Sequence, residues 1–190
     1  RDSSVTGVQT CALPISMGYY ESRDLSLVCD WALERFGSDA FIGTHGESMG
    51  AATVMMHAPQ YPKLAFVIED CGYSSLAAQV RHNIRQTYHL PSVPFLALSN
   101  LFFKLRGGVF FRQVSPVDAV KQCPGLPMLF IHGEDDDFVP YEMVHINFAA
   151  KPQPKEIRTF PGAAHAKSLS SDPEGYRACV TSFLEHSGVI

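Results

Sequence analysis

Phe41-Ile42-Gly43-Thr44-His45-Gly46-Glu47-Ser48-Met49-Gly50-Ala51-Ala52-Thr53-Val54-Met55-Met56 is the most informative run of the chain. An apolar run that reads as a strand passes into Gly46-Glu47-Ser48-Met49-Gly50 and then into small, helix-compatible residues. Strand, Gly-x-Ser-x-Gly and helix in that order make a nucleophile elbow. Glycines on both sides of the serine give room for a strained turn that a β-carbon would block. Such a turn lifts the Ser48 hydroxyl above the sheet edge, at a helix start whose dipole favours developing negative charge. Ser48 is therefore the candidate nucleophile, and the backbone N–H of Met49 the candidate oxyanion donor. With Gly and Ser each at about 7% of residues, the pattern arises by accident in roughly one chain in twenty of this length. The partners of the serine must decide.

A serine hydroxyl needs a base, and the base needs an orienting carboxylate. Pro127-Met128-Leu129-Phe130-Ile131 is short, continuous and apolar, the pattern of a buried strand. It runs into His132-Gly133-Glu134-Asp135-Asp136-Asp137-Phe138-Val139-Pro140, a loop with an acid at the carboxyl end of a strand, where ligands bind in open α/β sheets. Glu156-Ile157-Arg158-Thr159-Phe160 reads as a further strand, followed by Pro161-Gly162-Ala163-Ala164-His165. The chain order Ser, Asp, His, each beyond its own strand, is that of an α/β-hydrolase. From the residues alone, Asp135, Asp136 and Asp137 all remain open as the acid.

At these residues the chain resembles bacterial α/β-hydrolases related to the prolyl-oligopeptidase and acyl-CoA thioesterase groups. The resemblance is carried by Gly43 through Ala51, by Ile131-His132-Gly133 through Val139-Pro140, and by Ala164-His165-Ala166-Lys167-Ser168, and runs from about Gly18 to the C-terminus. It implies that the triad acid is the carboxylate of His-Gly-x-x-Asp-x-x-Val-Pro, which selects Asp136. It also implies a sheet of about eight strands, of which four are legible here. The stretch Val5 to Ile15 resembles instead the translation of a sequencing-library adapter, so residues 1–16 are expected to be non-native and residues 17–190 to be a partial α/β-hydrolase domain. On that reading the loop carrying the second oxyanion donor lies upstream. Loss of one such donor costs on the order of 3 kcal/mol of transition-state stabilisation, and the Phe41 strand is left with an open edge. The chain as written is therefore expected to be insoluble or weakly active.

Composition agrees with one globular domain. The chain has 190 residues, 46% hydrophobic and 18% charged, with a formal net charge of -4. That length supports a real core, and the absence of any basic run gives no sign of a nucleic-acid partner. No apolar run reaches the roughly 18 residues of a membrane span. Cys29, Cys71, Cys123 and Cys179 are widely spaced, without a Cys-x-x-Cys pair, and read as reduced thiols in the core. The acidic run Glu134 to Asp137 lacks Asp-x-Asp-x-Asp-Gly spacing and reads as one working acid with solvated neighbours rather than a metal loop. No cofactor or metal is implied.

Elsewhere helices alternate with strands, which implies a mostly parallel sheet with helices on both faces. Leu25, Val28, Cys29, Ala32, Leu33 and Phe36 recur at helical spacing, with Ser22 as the expected cap and Gly37 as the stop. Leu64-Ala65-Phe66-Val67-Ile68 is a buried strand leading into Glu69-Asp70-Cys71-Gly72-Tyr73, and a helix starts at Ser74 or Ser75. Asp172 and Pro173 open a last helix with Tyr176, Cys179, Val180, Phe183 and Leu184 on its apolar face. Residues of about 90–112 are long and apolar for a connection and read as a short cap, with Phe95, Leu98, Phe102 and Phe103 placed to line an acyl or aromatic site. His45 beside the elbow and Tyr73 after the adjacent strand are the other candidate substrate contacts. Together these motifs predict a serine hydrolase that cleaves an acyl bond, with a small-molecule carboxylic ester as the default substrate. A peptidase or thioesterase of the same fold, or a non-catalytic binding protein that retains it, is the alternative.

Overall fold

The computed structural model describes residues 15–190. The adapter-like stretch therefore lies, except for Ile15, outside the described residues. Twelve named elements follow one another: α1 (Glu21–Phe36), β1 (Ile42–Glu47), α2 (Met49–His57), β2 (Leu64–Asp70), α3 (Leu76–Gln86), α4 (Ser92–Gly107), α5 (Pro116–Val120), β3 (Met128–Gly133), α6 (Glu142–Ala150), β4 (Lys155–Phe160), α7 (Ser168–Ser171) and α8 (Pro173–His186). The four strands form one sheet in the order β1-β2-β3-β4, and all three pairings are parallel.

Parallel neighbours need crossovers, and the helices supply them on both faces. Val67, Met128 and Phe130 point to one face, where Val54 and Met55 of α2, Cys29 of α1 and Val144 of α6 cover them. Ile68, Leu129, Ile131 and Phe160 point to the other, against Tyr176 and Phe183 of α8. A third cluster joins Ala52 and Met56 of α2 to Leu76, Val109, Phe111, Val139 and Met143. The apolar face expected for α8 is thus the lid of one side of the sheet. Its start is as the sequence implies: Asp172 accepts the Gly175 N–H at 2.9 Å, with Pro173 as the first helical residue.

The central strands run further than their apolar runs. Glu69 and Asp70 remain in the ladder because β2 is paired on both sides, to Gly46 and Glu47 of β1 and to Phe130 and Ile131 of β3. His132 and Gly133 likewise end β3 rather than begin a loop. At α1 the expected cap is corrected. Ser22 lies inside the helix, buried, and donates to the Tyr19 carbonyl at 2.9 Å. The carboxylate of Glu21 receives the start of the helix instead, accepting N–H groups of Ser16 at 2.7 Å and Gly18 at 2.9 Å. Gly37 ends α1 as expected, at φ 110°, its N–H bonding Leu33. β1 is an edge strand among the described residues, with Phe41 beside it 69% exposed. No helix among the described residues is long and apolar enough to cross a membrane.

Candidate active site

Ser48 links β1 to α2 at φ 56° and ψ −116°, a conformation that costs a non-glycine residue on the order of 1–3 kcal/mol. Its N–H bonds the Asp70 carbonyl at 2.9 Å, and its own carbonyl accepts the Ala52 N–H at 3.2 Å. The backbone is thus pinned to β2 and to the first turn of α2. Its side chain makes no capping bond to the helix, so the hydroxyl is free for another partner. The two flanking glycines differ in kind. A β-carbon on Gly46 would stand 2.2 Å from the Gly50 carbonyl oxygen, so that position needs glycine. At Gly50 a β-carbon would meet nothing within 4 Å among the described residues, which corrects the expectation that both glycines are required.

The hydroxyl partner is His165. Its Nε2 lies 2.9 Å from Ser48 Oγ across 117 positions of chain, and its Nδ1 lies 2.7 Å from Asp136 Oδ2. Of the three consecutive aspartates, Asp136 is the one that meets the histidine. It is also the buried one, while Asp135 is exposed. The Asp136 carboxylate further accepts the N–H groups of Phe138 at 3.0 Å and Val139 at 2.9 Å. Burial pushes this carboxyl up, but bonds from His132, His165 and Val139 outweigh it and hold the acid well below the usual carboxylate range.

The loops that carry acid and histidine are joined backbone to backbone. Asp135 N–H bonds the Ala163 carbonyl at 3.0 Å, and Glu134 N–H bonds the Phe160 carbonyl at 3.0 Å. Gly133 permits this approach, since a β-carbon there would fall 2.2 Å from the Ala163 oxygen. The glycine of His132-Gly133 is therefore a packing requirement between two loops. α3 holds the acid loop from outside, through Gln79 to the Phe138 carbonyl at 2.6 Å and His82 to the Asp137 carbonyl at 2.9 Å. Phe138, half-exposed, stands against the His165 ring at 4.8 Å between centroids.

Met49 is the first residue of α2, so its N–H belongs to the turn that has no intrahelical acceptor. That suits the donor role expected of it. The candidate substrate contacts fare differently. Tyr73 is 2% exposed, and its hydroxyl donates to the Met17 carbonyl at 2.6 Å; it is a core residue, not a substrate contact. His45 turns to α8, bonding and stacking on Tyr176 with Nε2 3.0 Å from the hydroxyl, rather than facing Ser48 and His165. Phe102 lines an apolar groove of about 580 Å³ with Leu98, Phe103, Leu76 and Val80. None of Ser48, Asp136 and His165 lines that groove, and Phe95, two turns earlier on α4, does not line it either. Within residues 90–112, α4 packs through Leu96 and Phe103 on the cluster that holds Leu76, while Leu98, Leu101, Phe102 and Leu105 stay exposed. Gly108 caps it in the left-handed region, at φ 71°.

Residues missed by sequence reasoning lie beneath the site. Cys71, fully buried at φ 51°, brings its Sγ within 4.8 Å of the ligating atoms of Asp136 and His165. Burial pushes its thiol up, away from the thiolate that metal binding or nucleophilic attack requires, and the four donors on Asp136 already use its oxygens. Asp136 and His165 are therefore committed to hydrogen bonds rather than to a metal. Asp70, also buried and pushed up mainly by that burial, accepts the Ser168 hydroxyl at 3.3 Å and so ties the segment after His165 to β2. Nothing in the spacing of Cys71 or Asp70 marks them; only the register of β2 against β1 and β3 does.

No protein-family model matches the chain. It is 35% identical over 173 residues to the uncharacterized protein YqkD of Bacillus subtilis, covering 90% of this chain and 56% of that protein. The chain thus spans little more than half the length of that relative. Among solved structures it is similar to an esterase of Pyrococcus furiosus, with a TM-score of 0.70 and 19% identity over 91% of this chain and 64% of the other. It is similar also to an acylaminoacyl peptidase of Pyrococcus horikoshii, with a TM-score of 0.66 and 18% identity over 86% of this chain and 27% of that one. The parallel sheet, its helical layers and these neighbours give the chain the α/β-hydrolase fold.

Proposed function

We propose that the protein is a serine hydrolase that cleaves an acyl bond through Ser48, His165 and Asp136. The observation that carries this reading is the single imidazole placed 2.9 Å from Ser48 Oγ and 2.7 Å from Asp136 Oδ2. Both lengths allow proton transfer in the pose the reaction needs. His165 Nε2 takes the Ser48 proton as the oxygen attacks the substrate carbonyl. Asp136 accepts Nδ1–H, fixes the tautomer and stabilises the charged ring. The Met49 N–H faces the oxyanion. Collapse of the tetrahedral intermediate expels the leaving group, which takes its proton from His165, and leaves an acyl-Ser48 ester. Water, deprotonated by His165, then releases the acid.

A carboxylic ester is the first substrate to test, because an esterase stands among the structural neighbours. The acylaminoacyl peptidase beside it brings in amide and peptide bonds as the second reading. A fluorophosphonate probe tests the chemistry in the folded, full-length protein: labelling is expected at Ser48 and lost in Ser48→Ala. A folded protein that takes no label is a binding protein instead. A panel of p-nitrophenyl esters, acyl thioesters and N-acyl peptides then ranks the leaving groups.

A further inference from the structure

His132 is the penultimate residue of β3, and its imidazole is fully buried. Its Nε2 lies 3.0 Å from the Val139 carbonyl oxygen and 3.2 Å from Asp136 Oδ2. A carbonyl and a carboxylate only accept, so Nε2 carries the hydrogen and shares it between them. The oxygen it reaches is the one that receives His165 Nδ1–H. Asp136 Oδ1 is occupied by the Phe138 and Val139 N–H groups. One carboxylate thus stands between two imidazoles on the same oxygen, with two backbone donors fixing the other. The second ring nitrogen of His132 is buried without a partner among the described residues. An apolar residue would fill this space without that penalty, so the geometry favours a role for the donor itself.

We propose that His132 is a positioning residue for proton transfer at His165, holding Asp136 Oδ2 in line with Nδ1 and drawing off part of that oxygen's charge. The proposal rests on the triad reading above. Its physical content is a limit on basicity. An Oδ2 with His165 as its one partner binds the charged form of that ring more tightly, and the proton lent by Ser48 is then harder to pass to the leaving group. Sharing Oδ2 with His132 weakens that hold. Among the described residues, the groups facing the carboxylate are His132 and His165 on Oδ2, the buried thiol of Cys71 from the end of β2, and the loop's own backbone. Beyond His132 stands the Tyr141 ring, edge-on at 6.1 Å.

The test uses the full-length protein, its Ser48 labelling by fluorophosphonate, and pH profiles of p-nitrophenyl acetate hydrolysis. His132→Leu is expected to lower kcat about tenfold with KM little changed, and to move the acidic limb of kcat/KM to higher pH. His132→Gln, which keeps an N–H donor, is expected to restore most of both. A folded His132→Leu protein that labels at Ser48 and keeps the wild-type kcat and limb overturns the proposal while leaving the triad reading intact. Loss of labelling already in the wild type removes the triad reading first. Should His132→Leu fail to fold, nitrogen-15 NMR of the unaltered protein decides: a hydrogen on Nε2 of His132 supports the assignment, and one on Nδ1 alone overturns it.

Discussion

Gly46 and Gly50 flank the same serine, yet the carbonyl oxygen of Gly50 would lie 2.2 Å from a β-carbon on Gly46, whereas a β-carbon on Gly50 meets open space among the described residues. The motif is symmetric as text and asymmetric as matter. Gly46→Ala must push the start of α2 away from β1, and overpacking of that kind costs about 1–3 kcal/mol. Gly50→Ala sits within α2, where exchanging glycine for alanine gains up to about 1 kcal/mol. Thermal melts of the two variants are expected to move in opposite directions; a shared direction would contradict the asymmetry.

Asp136 is the aspartate that meets His165. Asp136→Asn is expected to lower turnover about 10⁴-fold, because the amide no longer holds the imidazole in the working tautomer. Asp135→Asn and Asp137→Asn are expected to stay within a few-fold of wild type. Steady-state rates on an ester that the unaltered protein hydrolyses provide the check, and a larger loss at Asp137 would reassign the acid.

Glu69 carries a pH dependence. It is fully buried on β2, with Oε2 accepting the Gly72 N–H at 2.9 Å and Oε1 without a partner among the described residues. Burial first, and then the adjacent Asp70, pushes its carboxyl well up against the opposing Gly72 bond. The folded protein therefore keeps a proton that the unfolded chain releases above about 4.5. A raised group of this kind gives its full stability below the unfolded value and loses it as pH rises through the folded one, at up to about 1.4 kcal/mol per pH unit. Glu69→Gln, which keeps the acceptor for Gly72 and cannot ionise, is expected to gain on wild type between pH 5 and pH 8. Denaturant titrations at both values measure that gap, and parallel behaviour would show that Glu69 does not titrate there.

Tyr73→Phe removes the bond to the Met17 carbonyl and nothing that touches the serine. A loss of about 1 kcal/mol in unfolding free energy is expected, with KM unchanged. A raised KM at unchanged stability would return Tyr73 to the substrate side.

The sequence disclosed most where the chain is locally decisive. Four apolar runs became four parallel strands, and Asp172-Pro173 became a cap and first turn because each of those signals acts within a few residues. The positions of Ser48 and His165 were legible because Ser48 comes directly after β1 and His165 five positions after β4. Legibility failed where a residue's role depends on register. Glu69 and Asp70 look like a polar loop until β1 and β3 pair with them. His45 looks like a pocket residue until the pleat turns it to α8. Phe95 and Phe102 share an apolar segment, and only the packing of α4 shows that Phe102 lines a groove that Phe95, Ser48, Asp136 and His165 do not. Ser22 has the chemistry of a cap but sits two positions past Tyr20, which occupies the N-cap of α1.

The 117 positions between Ser48 and His165 set a timetable. During synthesis the hydroxyl emerges long before the ring that would activate it, and the carboxylate arrives in between. Until β4 docks beside β3, a growing chain carries an inert alcohol. On the proposed reading, reactivity towards acyl bonds switches on only after residue 165 has been made and its loop has packed against that of Asp136.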